Sequence, residues 1–154
     1  MPFAWHVRSK NVGTIVLSIW LMLGNLDNFV NSMVWWNSIA DVAPGLCEIS
    51  VRLKHVMFIA IPASNLVIAR KLESIASTRQ VRASAADHKR SIIIDLLISV
   101  GLPFVYGCLL IVNQTNRYAI IEEAGCWTVL VSSWVFVLLV AAPVVIVSLC
   151  SAVY

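Results

Sequence analysis

Apolar residues gather along this chain in four long runs, and the polar residues collect between them. The first run, from Val12 to about Trp36, reads VGTIVLSIWLMLGNLDNFVNSMVWW and holds a single formal charge, Asp27. A run of that length crosses a hydrocarbon core of ~30 Å as a somewhat tilted helix. Trp35 and Trp36 close it as amphipathic rings do at a membrane interface. The second run, from about Leu46 to Ala69, carries Glu48, Arg52, Lys54 and His55 in its first turns and is uninterrupted only from Val56 to Pro62. Glu48 and Arg52 stand four apart and share a helix face, where pairing lowers the cost of burying either. The run is read as a span because its neighbours need it to alternate sides, with a re-entrant or interfacial helix as the alternative. The third, Ser91 to about Asn113, contains Asp95 and Pro103; a proline there kinks the helix and frees a carbonyl that neighbouring helices accommodate. The fourth, Thr128 to Tyr154, is almost wholly apolar and is interrupted by Pro143. The pattern predicts an all-α membrane protein with four transmembrane helices, about 12–36, 46–69, 91–113 and 128–154, in one transmembrane domain over 1–154.

The polar stretch from Arg70 to Arg90, RKLESIASTRQVRASAADHKR, separates the second and third runs and orients the rest. It holds Arg70, Lys71, Arg79, Arg82, Lys89 and Arg90; Arg8 and Lys10 fall on the same side of the alternation, and Arg117 alone falls on the other. The excess of Lys and Arg places the 70–90 loop and both termini in the cytoplasm. The segments 37–45 and 114–127 are then outer loops. Composition agrees: 60% of residues are hydrophobic and 12% charged, against roughly 45–50% and about 25% in soluble domains. The net charge of +3 is concentrated in the basic loop, which suits an anionic leaflet or an acidic protein surface and not a nucleic acid. The N-terminal MPFAWHVRSKNVG is too polar for a signal peptide.

Sidedness sorts the four cysteines. Cys47 and Cys126 lie on the oxidising face, where a bridge would tie the second outer loop to the top of the second helix. Cys108 and Cys150 fall within spans, as small apolar packing residues. Scattered histidines and the lack of a CxxC pattern suggest no metal, and no cofactor is implied. Walker, GxGxxG, HExxH and GxSxG motifs are missing, so the sequence does not read as an enzyme. Asn113 heads a glycosylation sequon, NQT, but sits at the expected membrane edge, so no glycan is expected.

Polar groups inside spans need a reason. Asn25, Asn28, Asn31, Ser32 and Trp35 are spaced to share one face of the first helix. For Asn25 and Asn28, as for Asp27, Asp95, Pro103 and Pro143, the reading is structural, through interhelical hydrogen bonds and kinks. For Asn31, Trp35 and Trp36, nearer the outer surface, packing and a ligand cavity both stand. Arg52, Lys54 and His55 lie at similar depth on the second helix and would line the same outward-opening polar pocket. With Trp127, these residues form the candidate ligand-binding set.

Seven stretches in order, PFAWHVRSKNVGT, NFVNSMVWW, LCEISVRL, IPASNLVIARKLE, IDLLISVGLP, NRYAIIEEAGCW and LLVAAPVVIVSLCSAVY, resemble the fungal lipopeptide-pheromone receptors. These form the a-factor receptor family of class D G-protein-coupled receptors, and the likeness is strongest to those of mushroom-forming fungi. The resemblance implies that the chain holds helices two to five of a seven-helix bundle and is an incomplete receptor. It further implies a plasma-membrane receptor, a farnesylated peptide pheromone as ligand, and the alpha subunit of a heterotrimeric G protein as partner. Cys47 and Cys126 match the family's extracellular cysteines, Arg52 an arginine just below the first of them, and Asn31, Trp35 and Trp36 the outer end of the second receptor helix. Glu48 stands where an aspartate is common, and QTNR at 114–117 departs from a more usual Gln-Gly-His-Arg run. On the inner side, Arg8, Lys10, Arg70, Lys71, Arg79 and Arg82 would face the G protein or anionic lipid. Two other readings remain open: a non-signalling four-span scaffold or receptor remnant, and a small transporter module with Asp27 or Asp95 in an ion path.

Overall fold

The computed structural model describes residues 11–37, 39–76, 85–112, 118–122, 124–127, 134 and 142–153. Helix α1 covers Val12–Val34 and α2 covers Pro44–Ala76. Helix α3, Ala85–Leu96, passes through a π-helical turn at Leu97–Gly101 into α4, Leu102–Val112. Strands β1, Ala119–Ile121, and β2, Gly125–Trp127, form an antiparallel hairpin, and α5 covers Ala142–Val153.

Helix α2 is the hub: α1, α4, α5, the π turn and β2 all pack on it. At 33 residues it is roughly 50 Å long at 1.5 Å per residue, more than a bilayer core requires. Charges in its first turns therefore do not shorten it into a re-entrant segment. Three described helical stretches, Val12–Val34, Pro44–Ala76 and Lys89–Leu109, are long and apolar enough to cross a membrane. Of the expected fourth span only α5 and Trp134 fall within the described residues, with Pro143 as the second residue of α5. The 70–90 loop is shorter than its polarity suggests: α2 continues through Ala76 and α3 starts at Ala85. Lys, Arg and Glu are adequate helix formers, so polarity alone does not end a helix.

Helix α1 turns Gly13, Val16, Trp20, Gly24 and Asn31 inward, a spacing of three and four that marks one face. Gly13 allows the close approach, since a Cβ there would come within 3.1 Å of the Ile68 backbone nitrogen on α2. Small residues let helix backbones pack closely where lipid offers no hydrophobic drive between helices. The expected stripe of Asn25, Asn28, Asn31, Ser32 and Trp35 is thereby split. Asn31 and Trp35 are fully buried, whereas Asn25 and Asn28 are exposed. Asn25 donates its amide to the Leu21 carbonyl of its own helix at 2.7 Å, and among the described residues it has no hydrogen bond to a neighbouring helix.

The irregular turn in the third span lies just before Pro103. That proline has no N–H to give to the carbonyl of Ser99, four residues back. The indole of Trp20 on α1 donates to the Ser99 carbonyl instead, at 3.3 Å. A neighbouring helix thus supplies the missing donor, and the tryptophan is buried with Val16 and Ala60 in the α1–α2 core. Towards the C-terminal end of α2, Arg70 pairs with Asp95 of α3 at 3.2 Å, which gives Asp95 an interhelical ion pair.

The hairpin is held against the C-terminal end of α1 and the N-terminal end of α2. Cys47 and Cys126 form a disulfide with Cα atoms 5.1 Å apart, and both are buried with Trp35 and Val51. The Trp35 indole donates to the Ala40 carbonyl, and the Tyr118 hydroxyl donates to Asp41, at 3.0 and 2.6 Å. Gly125 has φ +72°, and a Cβ there would fall 2.6 Å from Asn31. Only glycine meets both demands, the left-handed backbone and the contact.

A roofed cavity between three helices

Helix periodicity brings the polar groups of the site together. Asp27 and Asn31 are four apart on α1, Ser50 and Lys54 four apart on α2, and both pairs face the α1–α2 seam. The Asn31 amide donates to the Asp27 backbone carbonyl, to Asp27 Oδ1 and to Ser50 Oγ, at 2.8, 3.2 and 2.8 Å. Ser50 in turn donates its hydroxyl to Asp27 Oδ1. Asn31 Oδ1 accepts the backbone N–H of Cys126 at 3.1 Å. Lys54 Nζ donates to the Cys126 carbonyl at 2.7 Å and stands 3.5 Å from Asp27 Oδ2. Cys126 is therefore fixed through its sulfur, its N–H and its carbonyl at once.

That anchorage carries Trp127 over Lys54, with Nζ 5.1 Å from the ring centroid, within cation–π range. Below the tryptophan lies a cavity of about 440 Å³. Gly24, Asp27 and Asn28 of α1, Lys54, Met57, Phe58, Ile61, Pro62 and Asn65 of α2, and Val144 and Ser148 of α5 line it, with Trp127 at the hairpin end. From Lys54 to Asn65 it descends roughly 16 Å along α2. Its walls are mostly apolar, and its charged residues, Asp27 and Lys54, lie at the hairpin end. Such a cavity accepts an amphiphile, with an apolar body below and a polar group at the charged rim.

The expected ligand set divides around this cavity. Lys54 and Trp127 line it together. Asn31 lies behind it, fully buried, and holds Asp27 and the hairpin in place. Trp35 belongs to the core beneath the hairpin, while Trp36 is 71% exposed outside it. Arg52 points away and pairs with Glu48 at 3.3 Å on an exposed face. His55 is buried on a different face of α2. Lining and non-lining positions occur within a single turn of α2, so similar depth did not imply the same cavity. Asn28, expected to pack, lines the cavity as well. The positions 54, 57, 58, 61, 62 and 65 follow a helical repeat that was legible in the sequence; Val144 and Ser148 of α5 were not.

At the opposite end of α2, Arg70 and Lys71 line a further, polar cavity with Glu73, Ser74, Ser91 and Asp95. Arg70 is committed to Asp95. Arg8, Lys10, Arg79 and Arg82, like Asn113, lie outside the described residues.

The whole chain, residues 1–154, matches the sequence profile of a family described as pheromone A receptor. It is 74% identical over 154 residues to Pheromone receptor 1 of Mycosarcoma maydis, covering 100% of this chain and 43% of that protein. To Pheromone receptor 1 of Ustilago hordei it is 73% identical over 150 residues, 97% of this chain and 42% of that one. To the Pheromone B alpha 3 receptor of Schizophyllum commune it is 41% identical over 127 residues, 82% of this chain and 20% of the relative. The chain thus spans under half the length of these curated relatives. No solved structure matches it.

Proposed function

Because the chain belongs to the pheromone A receptor family, we propose that it forms the ligand-binding part of a receptor for a farnesylated peptide pheromone. It is a multi-pass membrane protein. The observation that carries the proposal is the cavity beneath Trp127: apolar along Met57, Phe58, Ile61 and Pro62, charged at Asp27 and Lys54, and bordered at the charged end by Trp127 of the disulfide-held hairpin. A prenyl chain suits the apolar wall, and the peptide to which it is attached suits the rim. Lys54 and Trp127, with Asn28, are the assigned contact residues; Asn31 and Trp35 shape the site without touching ligand. In this reading the hairpin side is extracellular, and both termini of the chain, with the basic residues Arg8, Lys10, Lys71, Arg79 and Arg82, belong to the cytoplasmic face of the plasma membrane; the excess of Lys and Arg on that side of the alternation supports it.

Ligand in the outer cavity favours one arrangement of α1, α2 and α5 over another, and their inner ends present that choice to the alpha subunit of a heterotrimeric G protein. The chain in this reading is one segment of a seven-helix receptor. The test is a chimera in which residues 1–154 replace the matching segment of the Mycosarcoma maydis relative, expressed in cells lacking their own receptor and exposed to a library of farnesylated peptides. A pheromone response to at least one peptide, lost in Lys54→Glu at unchanged surface level, is expected. A chimera that reaches the plasma membrane and responds to none overturns the reading.

A further inference from the structure

The cavity rim holds one polar atom that nothing in the described residues satisfies. Asp27 Oδ2 is buried and has no hydrogen-bond donor, although the side chain is only 9% exposed and lines the cavity. Its other oxygen is fully engaged by Asn31 and Ser50. Lys54 Nζ, at 3.5 Å, is beyond hydrogen-bond reach but close enough to neutralise the carboxylate. A buried acceptor without a donor is costly and points to a missing partner.

The chemistry of that partner follows from its surroundings. A cation is disfavoured, because the ammonium of Lys54 already balances Asp27 and would repel a second positive charge. A neutral N–H donor is not. Lys54 has three N–H bonds and gives one to the Cys126 carbonyl, so it retains donors for an acceptor in the same rim. One donor for Asp27 and one acceptor for Lys54, side by side above an apolar wall, is the complement of an amide group.

We propose that Asp27 and Lys54 read a single amide of the ligand, its N–H donating to Asp27 Oδ2 and its C=O accepting from Lys54 Nζ, with the ligand's apolar chain directed inward past Met57, Phe58 and Ile61. This deepens the receptor reading and rests on it. It assigns the ligand's orientation, with the amide outward beneath Trp127 and the hydrocarbon towards Asn65 and Ser148, and it makes Asp27 a ligand contact instead of a packing residue.

The experiment uses the chimeric receptor and three synthetic probes, N-acetyl-S-farnesylcysteine methylamide and its two analogues, each methylated on one of the two amide nitrogens. Binding is measured by competition against the tritiated parent compound. In the unmodified chain, one of the N-methyl analogues is expected to bind at least tenfold more weakly than the parent. In Asp27→Ala that ratio falls to about one. The comparison of probes on unmodified protein stands alone, should the variant fail to reach the membrane. Equal binding of all probes, or a ratio unchanged in a well-expressed Asp27→Ala, overturns the amide assignment and leaves the receptor reading intact. Absence of parent-probe binding to a chimera present at the membrane overturns both.

Discussion

Asn31 shows how much one side chain carries when its helix face is settled by packing. It bonds Asp27, Ser50 and the Cys126 N–H from a fully buried position, while Asn25, at a similar polar position, bonds only its own helix. Removing a buried partner strands the others, at about 1–3 kcal/mol. Asn31→Ala is therefore expected to lower the thermal midpoint in detergent clearly, and Asn25→Ala to stay within roughly 0.5 kcal/mol of the unmodified protein. Equal effects of the two would mean that the stripe is shared packing after all. Trp20 offers a second comparison. Trp20→Phe keeps the ring but deletes the donor to the Ser99 carbonyl, and interhelical hydrogen bonds in membranes are worth about 0.6 and at most about 1.7 kcal/mol. A loss in that range is expected, read from the midpoint of unfolding in mixed micelles.

The hairpin is the element that converts helix packing into a site. Two three-residue strands cannot be stable alone, and their order comes from Cys126 and its three attachments. Loss of a disulfide costs roughly 2–5 kcal/mol in a small secreted domain; here the remaining bonds from Asn31 and Lys54 retain part of the constraint. Cys47→Ser combined with Cys126→Ser is expected to speed hydrogen exchange at 119–127 markedly while leaving α1 and α2 protected. Protection unchanged across the hairpin would show that the Asn31 and Lys54 bonds suffice. Gly125→Ala should loosen the same segment, through its positive φ and the approach to Asn31. In the third span the proline announced a kink; the irregular turn lies just before it, at Leu97–Gly101, where the Trp20 indole donates to the Ser99 carbonyl.

At the scale of the whole molecule, charge is arranged at two levels on either side of the apolar layer: Asp27 with Lys54 on the hairpin side, and Arg70 with Asp95 on the other. Each pair ties α2 to a neighbour, so Arg70→Ala and Asp95→Ala together should cost less than the sum of the single changes, with a coupling of about 0.5–3 kcal/mol in a double-mutant cycle. Additive costs would mean the pair is incidental. Cysteines placed singly between 77 and 84, in a background without the free thiols, should label only from the cytoplasm. The sequence by itself determined the class of the molecule, since apolar run length and the excess of Lys and Arg are properties of composition that a bilayer reads directly. It also indicated which cysteines share a side, and the same two form the bridge. It did not determine which polar residues meet. Arg52, Lys54 and His55 lie within one turn of each other, yet only Lys54 lines the cavity, because helix rotation is set by contacts such as Gly13 against Ile68 and not by depth. Nor did it reveal the hairpin or the cavity wall from α5, because both join residues far apart in sequence. Those meetings the tertiary structure alone decided, by packing α1, α4, α5, the π turn and β2 on α2.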